Sequence, residues 1–320
     1  MTLRHGVPPT QGGGYSPHDL PSQEGKTFVV TGSTAGIGYF TGEQLARAGA
    51  RVVIAARNAQ KAAIAMAAIR AQVPEASLVF VPLDLTSLDS IARAATRMRD
   101  FAPLDGLINN AGLVIPPSTR RVTDDGIELV TGGNFFGHFA LTARLFDALT
   151  PRGRVIGLGS QSTRMVRLDA DDLLSTRRYQ GFRAYAFSKH LVHGFAFELD
   201  RRLRDAGSER LSLLAHPGFA VTGLAAQRHG ITDQPRSKRV AEIALFSFVG
   251  QGKDQGAWPT VRAATDPDAV GGTFYGPTFA TLRGLPAPLA PAPSSASPAF
   301  GAKLWQLAEE LTGVRFTVAG

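Results

Sequence analysis

Thr31-Gly32-Ser33-Thr34-Ala35-Gly36-Ile37-Gly38 is the stretch that decides how this chain folds. The apolar run Thr27-Phe28-Val29-Val30 leads into it, and a helix-like run from Tyr39 to Ala48 leaves it. Strand, glycine loop and helix in that order present bare backbone N–H groups at a helix start, where an anionic phosphate is stabilised. One glycine permits a tight turn, one lets backbone approach a pyrophosphate, and one lets helix and strand pack closely. The spacing is Gly-x3-Gly-x-Gly, not Gly-x-Gly-x2-Gly, so on its own the loop also fits a simple turn.

Outward from the loop, strands and helices alternate. Lys26 to Thr31 reads as the first strand and the first helix runs to Ala48. Arg51-Val52-Val53-Ile54-Ala55-Ala56 is an apolar run of the buried parallel type. A helix over 59–72, a strand over 78–81 ending at Pro82-Leu83-Asp84-Leu85, a helix over 88–101 and a strand at Gly106 to Asn110 follow. Gly126 to Leu149 reads as helix, Arg154 to Leu158 as a fifth strand, Ala184 to Arg204 as a long helix and Leu211 to Ala215 as a sixth strand. This alternation predicts an α/β fold, a doubly wound parallel sheet of Rossmann type flanked by helices.

Beyond Gly218 the pattern loosens. Helices are expected at 240–248 and 258–265, a last edge strand at Gly271 to Tyr275, an extended surface loop at Pro286 to Pro298, and a short amphipathic helix at Ala302 to Thr312. Residues 1–24, rich in Gly, Pro, Ser and Gln, are expected to form a flexible N-terminal arm or loosely docked lead-in. Residues 25–320 are expected to form one domain with a C-terminal extension, the cofactor half over about 25–150 and the catalytic and substrate part over about 151–320.

Composition narrows the function classes. Of 320 residues 44% are hydrophobic and 19% charged, which is globular and not disordered. There is no cysteine, so thiolate metal sites and disulfides are excluded. The net charge of +8 is scattered over short arginine groups without interleaved aromatics, so a nucleic-acid partner is not expected. No apolar run reaches the roughly 18 residues of a membrane span, and no secretory h-region is seen, so a cytoplasmic protein is expected. No His/Asp/Glu cluster argues for a metal. His216 is expected to be structural, and His190 and His193 to lie on a helix surface.

Tyr185 and Lys189 stand one turn apart on the long helix, so both project from one face. A free phenol, with a pKa of about 10, is a poor base near neutrality. A neighbouring lysine favours the phenolate, and a nearby hydroxyl can hold a carbonyl or alcohol oxygen. Ser160, just past the fifth strand, is the candidate for that hydroxyl, with Ser162 as its rival. A Tyr-x3-Lys pair alone also fits an amphipathic surface.

The whole series resembles the short-chain dehydrogenase/reductase family over about residues 25 to 225. The matching positions are Thr31-Gly32-x3-Gly36-x-Gly38, Asp84-Leu85, Asn109-Asn110-Ala111-Gly112, Asn134, Ser160, Tyr185-x3-Lys189, and Pro217-Gly218 with Thr222. Asn134-x2-Gly137-His138-Phe139, Ala184-Tyr185-x2-Ser188-Lys189, His216-Pro217-Gly218 and the tail Leu304 to Val314 resemble the branch of retinol dehydrogenases and protochlorophyllide reductases. The resemblance implies Tyr185 as acid/base, Lys189 lowering its pKa and holding the nicotinamide ribose, Ser160 holding the substrate oxygen, and Asn134 completing a proton relay. One departure is Gly159-Ser160, where members of this branch often carry two serines. Another is the Thr131-Gly132-Gly133 run, expected to loosen the helix that holds Asn134.

The expected cofactor contacts are Gly32, Ser33, Thr34, Gly36, Ile37, Gly38, Arg57, Asp84, Leu85, Asn110, Ala111, Gly112, Tyr185, Lys189, Pro217, Gly218 and Thr222. The corner after the second strand is Ala55-Ala56-Arg57-Asn58, with no carboxylate to bind a ribose 2′-OH. Arg57 there can pair with a 2′-phosphate and Ser33 can add a hydroxyl donor, so NADP(H) is expected over NAD(H). Asp84 is expected to accept from the adenine amino group. Met165, Leu168, Phe182 and the segment Phe219 to Leu224 offer apolar surface, either for an apolar alcohol, aldehyde or ketone or for packing a loop onto the sheet. The competing readings are a non-catalytic nucleotide-binding regulator and a sugar-nucleotide epimerase or dehydratase. The resemblance admits a monomer or a homo-oligomer, since the long helix often mediates pairing in this family and the C-terminal extension can cover it.

Overall fold

A strand that is apolar at almost every position needs cover on both faces, and β1 (Thr27–Thr31) is buried throughout. In the computed structural model, which describes residues 15–318, it lies inside a sheet of eight strands, third from one edge. The crossover helices α1 (Gly36–Arg47), α2 (Ala59–Arg70) and α3 (Leu88–Arg99) join β1 to β2 (Arg51–Ala56), β3 (Leu78–Pro82) and β4 (Leu104–Asn109) in turn. β5 (Leu149–Leu158) and β6 (Leu211–Ala215) continue the parallel set. β1 pairs with β2 on one side, Val29 opposite Val53, and with β4 on the other, Val29 opposite Leu107. The chain thus winds outward through β3, returns to β4 and winds the other way. The crevice outside the C-terminal ends of β1 and β4 is the point where winding reverses, and such crevices hold ligands in open α/β sheets.

Between β4 and β5 the chain forms α4 (Leu129–Thr131), a π-helical turn (Gly132–Phe136) and α5 (Gly137–Leu145). The helix expected from Gly126 starts later because the buried Glu128 carboxylate caps it, accepting from the N–H groups of Val130 and Thr131 at 2.9 and 2.8 Å. The Gly132-Gly133 run opens that π turn, a local widening of the helix. Gly132 sits so close to Thr123 that a Cβ would lie 3.1 Å from its Cγ2. β5 begins at Leu149, earlier than expected, its register with β4 shifted between Leu104 and Gly106.

After β5 come α6 (Ser162–Met165) and the long α7 (Gly181–Asp205); after β6 come β7 (Ala220–Val221), α8 (Arg236–Phe246), β8 (Gln251–Gly252), α9 (Lys253–Gly256) and α10 (Trp258–Thr265). The strand expected as an edge at Gly271 to Tyr275 is β9 (Phe274–Phe279), and it is not the edge. β10 (Arg283–Pro288) pairs antiparallel outside it, giving the order β3-β2-β1-β4-β5-β6-β9-β10. β10 takes the first residues of the stretch expected as loop, and its prolines are tolerated because an outer strand has no further partner to donate to. α11 (Pro298–Thr312) is longer than expected.

Two apolar cores fill the two faces of the sheet. On one, α11 lies along α7: Trp305 packs against Phe195 at 5.7 Å and Phe139 at 5.5 Å, and the Arg202 guanidinium sits 4.1 Å over its ring. The extension therefore covers a face of α7. Of the lead-in, residues 1–14 lie outside the described residues, and the rest is docked. Gln23 N–H donates to the Ala48 carbonyl at 2.7 Å, His18 meets Trp258 edge-on at 5.2 Å, and the Arg262 guanidinium lies 5.1 Å over Tyr15.

Candidate active site

The glycine loop is held against the turn after β4. Gly32 has φ +66°, and a Cβ on it would lie 2.9 Å from Ala111 Cα; a Cβ on Gly38 would come 2.6 Å from the Gly32 carbonyl and overlap Asn110 Nδ2. Thr31 locks the two segments together. Its hydroxyl accepts from the N–H groups of Asn110 and Ala111 at 3.0 and 2.9 Å, and its carbonyl accepts from Asn110 Nδ2 at 2.7 Å. The Thr31 hydroxyl proton points to His138 Nε2 at 2.9 Å. His138 Nδ1 lies 3.0 Å from the Asn134 backbone carbonyl, which can only accept, so Nδ1 carries the proton and the ring is neutral. Burial agrees, holding His138 down at a pKa of about 4.

The N-terminus of α1 begins at Ala35, and among the described residues no side chain caps it and no acidic residue occupies its first turn. Lys253, at the start of α9, brings its ammonium to 3.9 Å from where a Cβ on Gly36 would be. Uncapped N–H groups, a glycine at φ +61° and an adjacent cation fit the pyrophosphate of a dinucleotide. Thr34, Gly36 and Ile37 are half-buried around this end, whereas the Ser33 hydroxyl is buried and donates to the Val30 carbonyl at 2.8 Å. Ser33 is therefore not turned out as the hydroxyl donor that the sequence suggested. Arg57 is exposed just past β2. Asp84 Oδ1 accepts from the Thr86 backbone N–H and hydroxyl at 2.9 and 2.7 Å, so it shapes the turn before α3. Leu85 packs its carbonyl against Gly137. Gly112 faces the Asn134 side chain, whose Oδ1 a Cβ would meet at 3.3 Å. Past β6, Pro217 accepts from Gln251 Nε2 at 2.8 Å, Gly218 takes φ +70° against Leu282, and the Thr222 carbonyl accepts from Ala225 N–H at 3.1 Å.

The four expected catalytic residues converge at the ends of β4 and β5. The Ser160 hydroxyl lies beside the Tyr185 phenol and draws its pKa down, while burial, the larger effect, holds it above the ordinary value of 10.0. Lys189 Nζ donates to the Leu158 carbonyl at 2.7 Å and stands 5.7 Å from the centre of the Tyr185 ring. Burial lowers Lys189 to a pKa of about 8. The expected lowering of the phenol by the lysine is not seen: only the Ser160 hydroxyl opposes the effect of burial. Asn134 Nδ2 donates to Ser188 Oγ at 2.9 Å and its Oδ1 accepts from Leu113 N–H at 2.6 Å, so its side chain is committed to bracing. Ser188 Oγ donates onward to the Tyr185 carbonyl at 2.7 Å. Ser162, the rival serine, is buried, and its hydroxyl has no partner among the described residues. The geometry favours Ser160.

His190 and His193 are not on a helix surface; both are fully buried. His190 bridges Ser295 Oγ at 2.7 Å and the Val166 carbonyl at 2.8 Å. His193 Nε2 accepts the Ser160 backbone N–H at 3.2 Å, and burial holds the ring neutral. A Cβ on Gly159 would lie 3.0 Å from His193 Cδ2 and nearer still to Nε2. The imidazole fills the space a side chain would need, which accounts for the glycine at this position. Thr31, His138, Ser188, His193 and Lys253 are the residues that sequence reasoning missed. His138 stood one turn after Asn134 in a quoted motif; Lys253 left no local signal, because the fold alone brings it to the loop.

At the cleft, Met165, Phe182 and Phe219 are exposed, while Leu168 packs onto the core. Leu113, Val114 and Ile115, following the turn that Asn134 braces, add exposed apolar surface.

The short chain dehydrogenase family model matches residues 26–229. The chain is 37% identical to polyprenol dehydrogenase of Mus musculus over 274 residues, covering 82% of this chain and 78% of that protein. It is 34% identical to retinol dehydrogenase 13 of Homo sapiens over 295 residues, covering 91% and 85%. The crystal structure of an uncharacterised protein from Mycobacterium paratuberculosis superposes with a TM-score of 0.76 at 33% identity, covering 96% of this chain and all of that one. Sheet order, glycine loop and relatives agree, and the chain belongs to the short-chain dehydrogenase/reductase family, as a nicotinamide-dependent oxidoreductase of its retinol dehydrogenase-like branch.

Proposed function

We propose that this enzyme moves hydride between NADP(H) and an apolar alcohol, aldehyde or ketone, with Tyr185 as the acid/base. The observation that carries the reading is the Ser160 hydroxyl beside the Tyr185 phenol, with Lys189 buried one turn away. When bound, the nicotinamide supplies or takes the hydride. In the reducing direction Tyr185 Oη gives its proton to the carbonyl oxygen as that oxygen gains charge; in the oxidising direction the phenolate takes the alcohol proton. Ser160 donates to the same oxygen and holds it in place. Lys189 is cationic below a pKa of about 8 and stabilises the phenolate left after proton transfer. Asn134 acts as a brace, fixing Leu113 on the substrate side and, through Ser188, the turn of α7 that carries Tyr185.

Two features support the finer choices. Arg57 stands exposed past β2, in a corner without a carboxylate, which favours a 2′-phosphate. The exposed Met165, Phe182, Phe219 and Val114 favour an apolar substrate, and the names of the relatives specify long apolar alcohols. Fluorescence titration with NADPH and NADH tests the first. NADPH is expected to bind tighter, and Arg57→Ala to weaken NADPH about tenfold, as for a charge-assisted bond, without changing NADH. Equal affinities, or an Arg57→Ala variant that binds NADPH normally, overturn the NADP(H) choice.

A further inference from the structure

α8 is built inside out. Past its first turn its polar side chains face the body: Arg239 donates to the Ala225 carbonyl at 3.1 Å and the Glu242 carboxylate accepts the Gly223 N–H at 2.6 Å. Phe246, against Phe219 at 5.2 Å, completes that inner row. The outward face is apolar. Val240, Ile243 and Leu245, with Phe248 and Val249 just beyond the helix, are all exposed, Leu245 at 69% and Phe248 at 81%. A surface helix ordinarily turns its apolar stripe to the core and its charges to water, so this reversal marks a contact surface. The patch continues onto the β9–β10 hairpin. Arg283 there donates to the Ser247 carbonyl at 3.0 Å, and Phe279 and Leu285 are exposed beside it. The basic residues Arg236 and Lys238 are exposed on the first turn of the same helix. Lys238 has only a 4.0 Å approach to Glu242.

We propose that α8 and residues 247–249 dock on the surface of an anionic lipid bilayer, the apolar side chains entering the headgroup boundary and Arg236 and Lys238 meeting lipid phosphates. Charge complementarity selects this occupant. An apolar face flanked by cations on the same helix is the pattern of an interfacial helix, and each basic residue near an anionic surface adds attraction. The patch follows directly from Phe219 at the cleft, so a substrate with a long apolar tail passes from bilayer to site without crossing water. That last point rests on the proposed substrate class; the docking itself does not.

Sedimentation of the full chain with vesicles tests it, using phosphatidylcholine alone and a mixture with phosphatidylglycerol at low salt. The protein is expected to partition to the mixed vesicles and far less to the neutral ones. Leu245→Asp with Phe248→Asp, and separately Arg236→Glu with Lys238→Glu, are each expected to lower partition at least about tenfold, with thermal unfolding and cofactor titration unchanged. No partition to either vesicle, equal partition to both, or a concentration-dependent dimer broken by the Leu245/Phe248 pair would overturn the proposal. The readout needs no turnover, so it fails separately from the proposed reaction.

Discussion

Gly159→Ala should cost far more than one methyl group ordinarily does, and the cost should vanish when His193 is shortened. The new Cβ would stand 3.0 Å from His193 Cδ2, 3.4 Å from Cε1 and nearer to Nε2. The ring cannot swing aside, because it is fully buried and meets Phe274 at 4.9 Å. Overpacking of this kind costs roughly 1–3 kcal/mol. Displacing Nε2 also strips the Ser160 N–H of its acceptor, a further cost of about 1–3 kcal/mol. Gly159→Ala is therefore expected to lose about 2–6 kcal/mol by denaturant unfolding, with kcat reduced because Ser160 moves. His193→Ala leaves a cavity and the same orphan N–H, but also removes a ring whose Nδ1 has no partner among the described residues. In the double variant the alanine methyl occupies vacated space and the Ser160 N–H is orphaned already, so the two losses should fall short of additivity by about the whole cost of Gly159→Ala, roughly 2–6 kcal/mol. Additive losses, or a Gly159→Ala variant within 0.5 kcal/mol of the parent, roughly the error of additivity, would refute this account of Gly159.

Other expectations follow from the same geometry. Lys253→Met should raise the Kd for NADPH about tenfold in fluorescence titration, and the difference should shrink as salt screens it; an unchanged Kd would remove Lys253 from the phosphate site. His138 and His216 are buried and held down at pKa values of about 4. The unfolded chain takes up protons from pH 6.5 downward, so the stability these rings give above 6.5 is lost as pH falls towards 4, about 3 kcal/mol for each. Urea unfolding between pH 7 and 4 should show this slope, and His138→Gln should reduce it by its own share of about 3 kcal/mol. Lys189 acts in the opposite window. Its buried charge disfavours the fold below its pKa of about 8. Stability should then rise by about 3 kcal/mol as pH goes from 8 to 10.5, a slope missing in Lys189→Met.

The alternation from β1 to β6 was readable because buried parallel strands are apolar runs, and α2 and α3 between them start on capping residues, Asn58 and Ser87. Tyr185, Lys189 and Ser160 were readable because spacing on one helix and position past a strand are local facts. What failed was non-local. His190 and His193 read as surface residues because polar side chains usually are, but α7 is enclosed by the sheet, by α11 and by the segment around Val166 and Ser295. β10 is rich in glycine and proline, and only pairing with β9 across the hairpin makes it a strand. Ser33 carried a hydroxyl in the right loop, but its direction, inward to Val30, is set by backbone that the sequence does not show. In α8 a helix was expected, but which side faced the body was not legible.

The most direct test of the account is NADPH oxidation by the purified enzyme against long-chain and retinoid-like aldehydes, beside the Tyr185→Phe variant. The account predicts turnover by the parent, loss of at least about a thousandfold in the variant, within the range of general acid catalysis, and NADPH affinity unchanged between the two. Turnover that survives Tyr185→Phe, or a parent that binds NADPH tightly and reduces no aldehyde or ketone, would contradict it.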